Sequence, residues 1–248
     1  YEILDGLRGV AAMIVVAYHL FETYSAGPVH QILNHGYLAV DFFFVLSGFV
    51  IGYAYDDRWD RMSIKDFFKR RLVRLHPMVI MGSIVGAAFF YFQESPCFPP
   101  IENTSIGTML LVMLLGCTLL PLPLKFDIRG WTEMHPLNGP AWSLYYEYIG
   151  NILYALFVRK FNKVALSVLV FVAGCFTVYR CLTAPAGDIV GGWALNWEQQ
   201  YVGMVRLMYP FFGGLLLSRL GWLIRLEKRA FWWCSLLIVV VLSIPRIG

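Results

Sequence analysis

Eight apolar stretches, most about as long as a bilayer is thick, divide this chain: approximately residues 4–24, 37–55, 75–93, 106–122, 141–158, 164–182, 201–219 and 230–246. A helix rises 1.5 Å per residue, so about 20 mostly apolar residues cross a hydrocarbon core of about 30 Å. Lipid offers no partner to a backbone N–H or C=O, which leaves helices as the element such stretches can form. Of the residues 58% are hydrophobic and only 15% charged, where a soluble domain carries about a quarter charged. Mean hydropathy is +0.62. The expected fold is an all-α, polytopic transmembrane helical bundle of about eight spans.

The charges that remain are informative by position. Arg58, Arg61, Lys65, Lys69, Arg70, Arg71 and Arg74 lie between the second and third stretches, which predicts a cytoplasmic loop and an amino terminus on the inside. Within that loop Ile64, Phe68, Leu72 and Leu75 form one apolar stripe, as in an interfacial amphipathic helix over about 63–75. Lys65, Lys69 and Arg70 face away from it, whereas Arg71 falls within the stripe and Arg74 at its edge, both directed toward protein. Counting crossings onward places Arg159, Lys160 and Lys163 outside, against the positive-inside tendency. Either one segment within 75–140 does not cross fully, with a half-crossing or an extra turn in the Pro- and Gly-rich 122–140 preferred, or this basic loop is an exception. The net charge of +4 sits in short loops and argues against a nucleic-acid partner; the expected partner is the bilayer. The five cysteines, Cys97 among them, show neither C-x-x-C pairs nor metal-ligand spacing, and His30, His35 and His135 stand alone in loops, so no metal site is expected.

Four constellations carry chemistry. Arg8 and His19 are eleven residues apart in the first stretch, close to three helical turns, so they share a face about 16 Å apart along the axis. Neither finds a partner in lipid, and His19 can take a proton near neutral pH. The plain alternative is a snorkelling arginine and an interfacial histidine. In the second stretch Asp41, Val45, Gly48 and Gly52 share a face; the glycines suit close helix packing, and the Asp41 carboxylate needs a partner, a histidine or an arginine. Arg71 and Arg74, one turn apart, suit an anion such as a phosphate. In Gly139-Pro140-Ala141-Trp142-Ser143-Leu144-Tyr145-Tyr146-Glu147, Pro140 marks a helix start and Ser143 and Glu147 share a face. Glu147 reads equally as a site carboxylate and as a buried counter-ion to an arginine.

Together these pieces resemble the acyltransferase-3 family of integral-membrane acyltransferases, which includes bacterial O-acetyltransferases of surface polysaccharides. The matching residues are Leu4-Asp5-Gly6-Leu7-Arg8-Gly9 with His19 (R-x10-H), Asp41-Phe42-Phe43-Phe44-Val45-Leu46-Ser47-Gly48-Phe49, Arg71 and Arg74 (R-x-x-R) ahead of Pro77, and Trp142-Ser143-Leu144 with Glu147 (W-S-L-x-x-E). The order is right over about 150 residues, while 160–248 matches only in being apolar and helical. The resemblance implies acyl transfer from a cytoplasmic acyl-coenzyme A, often acetyl-CoA, to a hydroxyl of a carbohydrate or other acceptor, in the bacterial cytoplasmic (inner) membrane. Acyl-CoA would be a co-substrate, with no bound cofactor. His19 would be the catalytic base or acyl relay, with Asp41 and Glu147 in support. Arg8, Arg71 and Arg74 would bind the donor, and Ser47, Trp142 and Ser143 would line the same machinery. Tyr145-Tyr146 departs from the commoner small-aliphatic pair before the glutamate.

Family members usually have about ten spans, and this chain opens at Tyr1 and stops at Gly248 just after an apolar run. The expectation is a single integral-membrane domain over 1–248, truncated at its C-terminus. Direct transfer, with His19 deprotonating the acceptor hydroxyl, ranks above an acyl-serine on Ser47 or Ser143, because neither serine has an adjacent base in sequence. The competing classes are a transporter or channel lined by Arg8, His19, Asp41 and Glu147, and a non-catalytic membrane scaffold. A transporter or channel does not explain paired arginines on the stripe of an interfacial helix, and many transporters show an internal repeat that this chain lacks; the scaffold reading stays open.

Overall fold

The computed structural model describes residues 2–25, 31–93, 103–221 and 229–244; His30 and Cys97 lie outside them. Eight α-helices follow one another: α1 Glu2–Tyr24, α2 Ala39–Tyr55, α3 Ile64–Phe92, α4 Ile106–Gly116, α5 Ala141–Leu156, α6 Lys163–Thr183, α7 Trp197–Leu220 and α8 Ala230–Leu242. Among the described residues there is no β-strand, only an isolated antiparallel bridge between Glu133 and Ala194. The stretches covering α1, α2, α3, α6 and α7 are long and apolar enough to cross a membrane. The protein is an integral-membrane helical bundle, and its exposed surface agrees: Val164, Val168, Phe171 and Leu182 of α6 and Trp232, Trp233 and Leu237 of α8 are exposed. Apolar exposure on this scale has lipid, not water, as its natural solvent.

α4 falls furthest short of its apolar stretch. α4 stops at Gly116, six residues early, because Cys117 to Leu119 leave the helix in a tight turn ending on Leu119 at φ 61°. Its 11 residues span about 16 Å, half a hydrocarbon core. This short helix lies ahead of the Pro- and Gly-rich 122–140 to which the sequence assigns the half-crossing.

The basic loop also differs from expectation. Residues 63–75 do not form a separate interfacial helix; they are the first turns of α3, which runs unbroken through Pro77. Ser63 starts it with a capping box: its Oγ accepts from the Asp66 N–H at 3.1 Å, and Asp66 Oδ2 accepts from the Ser63 N–H at 3.2 Å. A proline in a helix removes one hydrogen bond and crowds the preceding turn, and the packed apolar turns on either side outweigh that loss. The face that packs on protein is Phe67 and Arg71, continued by Val79 and Ser83. Ile64 and Leu72 of the expected stripe are exposed instead.

The chain forms two compact units. In the first (1–56, 162–171 and 208–248), Ala11 and Ile14 of α1 pack on Ala39 of α2 and Leu242 of α8. The turn before α2 is stitched in by His35, whose N–H donates to the Leu242 carbonyl and whose Nδ1 meets the Ile244 carbonyl at 2.8 Å. The α2 glycines serve close packing as expected: a Cβ on Gly48 would collide with the Phe211 carbonyl oxygen and one on Gly52 with Leu215 and Ser218, while from α7 one on Gly214 would strike the Val45 carbonyl. Arg219 closes the end of this crossing with two bonds to Asp56, at 2.7 and 3.1 Å.

In the second unit (57–161 and 172–207), α3 packs beside α4 and α5. The irregular segment 133–140 lies directly on α3, where a Cβ on Gly86 would strike the Leu137 carbonyl. Its backbone groups are taken up locally. Leu122 N–H donates to Met134 O at 2.9 Å, Met134 N–H to Trp193 O at 2.8 Å, and Asn138 N–H to His135 O at 2.9 Å. This is how non-helical backbone is tolerated inside a membrane protein.

Candidate functional site

The sequence-predicted residues fall in both units. In the first, α1 holds Arg8 and His19 on one face as expected, but His19 is exposed where the sequence predicts a side chain turned into protein or a polar cavity. Arg8 Nη1 donates to Asp5 Oδ1 at 2.9 Å, one turn earlier. His19 Nδ1 lies 3.0 Å from Glu22 Oε2, one turn later, with the imidazole 59% exposed. In the tautomer that donates Nδ1–H to this carboxylate, Nε2 carries the basic lone pair. Asp41 sits half-buried in the first turn of α2, where the helix dipole favours a carboxylate, and Ser47 is buried; both are engaged by neighbours.

In the second unit the structure brings together two residues 76 positions apart. Arg71 Nη2 donates to Glu147 Oε1 at 2.5 Å, with the arginine side chain 2% and the glutamate 16% exposed. The counter-ion role for Glu147 is thus what the geometry displays. Arg74 is not part of it. It lies three residues, hence about 60° of helix rotation, away from Arg71, and its side chain is exposed. The expectation that both guanidiniums point into protein holds for Arg71 and fails for Arg74, because the packed strip through Phe67 and Arg71 is narrow.

The helix of Glu147 starts where Pro140 was expected to start it. Ser143 Oγ donates to the Pro140 carbonyl at 2.9 Å, so its proton caps its own first turn. Trp142 is buried, edge-on to Tyr146 with ring centroids 6.0 Å apart, and carries the Arg206 guanidinium at 4.9 Å from its ring centre. Arg206, 1% exposed, also donates to the Gly191 carbonyl at 3.1 Å. Arg206 belongs to none of the four constellations in the sequence. Its flanks Met204, Val205, Leu207 and Met208 were the signal that it is buried.

His135 was likewise passed over for want of metal spacing. It is 2% exposed, beside Tyr145 at 6.3 Å between ring centroids. Burial pushes its ring down to about 4, so it is neutral at physiological pH. No sequence signal separates it from a surface-loop histidine, since the packing of 133–140 on α3 is tertiary. Among the described residues there is no group of three His, Cys, Asp or Glu side chains that could hold a metal ion.

A multi-helix membrane protein with an arginine and a histidine on one helical face, and a buried arginine–glutamate pair, matches a defined class. The model of the family described as an acyltransferase domain matches residues 1–248, and the chain belongs to this acyltransferase-3 family. It is accordingly an enzyme that transfers acyl groups other than aminoacyl groups. Among its relatives, protein 2 in the picA locus of Rhizobium radiobacter is 34% identical over 162 residues, covering 62% of this chain and 81% of that protein. Acyltransferase MdmB of Streptomyces mycarofaciens is 27% identical over 169 residues, 65% of this chain and 40% of MdmB. The peptidoglycan O-acetyltransferase OatA of Listeria monocytogenes is 30% identical over 112 residues, 44% of this chain and 17% of OatA. The chain thus spans less than half the length of the last two. No solved structure matches it.

Proposed function

We propose that this protein moves an acyl group, an acetyl group by preference, from acyl-CoA to a hydroxyl of a carbohydrate or surface polysaccharide. It works in a bacterial cytoplasmic membrane with its amino terminus inside. The observation that carries the reading is the His19–Glu22 contact at the end of the R-x10-H helix. With Nδ1–H on the carboxylate, His19 Nε2 accepts the proton of the acceptor hydroxyl as that oxygen attacks the thioester carbonyl. The C–S bond breaks, the proton passes from the imidazolium to the leaving thiolate, and the products are an ester and free CoA. General-base assistance of this kind is worth about 10²- to 10⁴-fold.

The exposed cations at the start of α3, Arg74 with Lys69 and Arg70, offer the donor's phosphates their counter-charge. Arg71 serves Glu147 instead, holding the inner wall of α3 and α5. The relatives support the acceptor class, since OatA is named for O-acetylation of peptidoglycan, a hydroxyl-bearing glycan. The test is thioester consumption by purified protein with acetyl-CoA and a glycan. His19→Ala is expected to lower transfer at least 100-fold while keeping expression and the melting profile. A folded His19→Ala protein with wild-type transfer refutes the role.

A further inference from the structure

One face of α3, in the second unit, is charged near its start and apolar further along. Asp66, Lys69, Arg70 and Val73 line a hollow of about 410 Å³. Beyond it on the same helix, Pro77, Ile80, Met81, Ile84 and Val85 line an open groove of about 420 Å³. At about 100° per residue, Asp66, Arg70, Val73, Pro77 and Ile84 fall within a band about 60° wide, so hollow and groove follow one line down the helix. Phe67, Arg71, Val79 and Ser83, which pack on protein, lie outside that band.

The polarity of this line fits one kind of molecule. Lys69 and Arg70 are exposed. The carboxylate beside them is engaged, since Asp66 Oδ2 accepts from the Ser63 N–H at 3.2 Å and from the Ser63 hydroxyl at 2.7 Å. Two cations against one occupied carboxylate leave the hollow attractive to an anion. The groove offers hydrocarbon instead: Ile80, Met81, Ile84 and Val85 are exposed on a helix long and apolar enough to cross a membrane.

Length agrees with polarity. From Arg70 to Val85 the line runs about 22 Å, and one leaflet with its headgroups is about 20–22 Å deep. An amphiphile with a phosphate at one end and hydrocarbon tails at the other meets both parts at once. A second copy of this chain, seated on the same face at the same depth, would set Lys69 and Arg70 against their own kind.

We propose that this face of α3 binds one anionic glycerophospholipid of the cytoplasmic leaflet, with its phosphate at Lys69 and Arg70 and an acyl chain along Pro77 to Val85. The inference goes beyond the acyl-transfer reading, since the lipid is held and not transformed. An ammonium has three N–H donors and a guanidinium five. A lipid phosphate on the Val73 side therefore leaves donors on both cations for a second phosphate arriving from water.

The experiment titrates the full chain in detergent with dioleoyl phosphatidylglycerol, which is anionic, and with dioleoyl phosphatidylcholine, which has the same tails and no net charge. Native mass spectrometry counts the lipid retained. The wild type is expected to keep one phosphatidylglycerol with an affinity about 5- to 25-fold above phosphatidylcholine, the worth of one to two cations beside an anionic headgroup. Lys69→Gln/Arg70→Gln should lose that preference. Arg58→Gln/Arg61→Gln, at cations of the same basic stretch that do not line the hollow, should keep it. All four side chains are exposed, so the changes leave packing alone, and melting curves check this. Glycerol 1-phosphate, which has the phosphate without tails, should fail to displace the lipid. Four results overturn the proposal. The first is equal retention of the two lipids by the wild type. The second is an equal loss of preference in both double variants, the mark of diffuse attraction to the basic stretch. The third is displacement by glycerol 1-phosphate, which makes the hollow a phosphate site with no use for the groove. The fourth is a lipid-free dimer, in which a second copy covers the face. No acyl donor is present, so the outcome is independent of acyl transfer.

Discussion

Breaking the Arg71–Glu147 pair from one side should hurt the protein more than removing it altogether. Arg71 keeps 1% of its surface, so Glu147→Gln takes a bonded carboxylate away from a guanidinium shielded from water. Removing one member of a buried ion pair costs about 3–5 kcal/mol. Glu147 retains 16% side-chain exposure, which places the expected cost near the lower end, about 3 kcal/mol. For a chain of 248 residues, at about 2–4 °C per kcal/mol, that is a fall in Tm of about 6–12 °C. Arg71→Met alone takes the guanidinium from the more exposed Glu147 and should fall by a smaller amount. The double variant Arg71→Met/Glu147→Leu replaces the pair with apolar volume and should return to within about 1 kcal/mol of wild type, or exceed it. The assay is a thermal double-mutant cycle on detergent-purified protein. Two outcomes refute the reasoning: single variants that melt with wild type, or a double variant that melts at the sum of the two losses.

Glycine substitutions should separate packing from helix propensity in the first unit. Gly48→Ala drives a methyl into the Phe211 carbonyl and should cost about 1–3 kcal/mol, whereas Gly9→Ala, with nothing within 4 Å of its Cβ, should be neutral or stabilising by up to about 1 kcal/mol; equal melting shifts contradict the α2–α7 contact. His135 should leave a signature in the pH dependence of stability. Its ring is neutral in the fold down to about 4 but titrates near 6.5 when unfolded, so the unfolded chain binds the extra proton and stability falls as pH drops from about 6.5 toward 4. His135→Gln should flatten that part of the Tm-against-pH curve, and an identical slope in the two proteins is the contrary result.

The helices were legible because lipid imposes a length and an apolarity that eight stretches of sequence meet. Their ends were less so. Nothing in the sequence from Ile106 to Leu122 announces that the backbone leaves the helix after Gly116, since the residues stay apolar throughout. Pro77 reads as a boundary by local rules, and only the packing of Val79 and Ser83 on the same strip as Phe67 and Arg71 carries the helix through it. Arg71 stands out in the sequence because it falls within the apolar stripe of a basic run, and Glu147 because it is a charge among apolar residues. That they are each other's partner was beyond sequence, because 76 residues separate them and no local pattern links the two. The role of 133–140 was hidden for the opposite reason. Its Pro and Gly content marks an irregular segment, as expected, but the burial of His135 depends on a docking surface made by α3.

That α3 is one rod from Ile64 to Phe92 has a consequence for how this region can vary. Arg71, Val79 and Ser83 keep their partners only through a shared angular phase. A single residue inserted between Arg71 and Val79 would swing the guanidinium about 100° off Glu147 while leaving the deeper half seated. Two extra turns would restore the angle and miss the partner by about 10 Å. Length change is therefore costly along this rod and cheap in the loops that flank it.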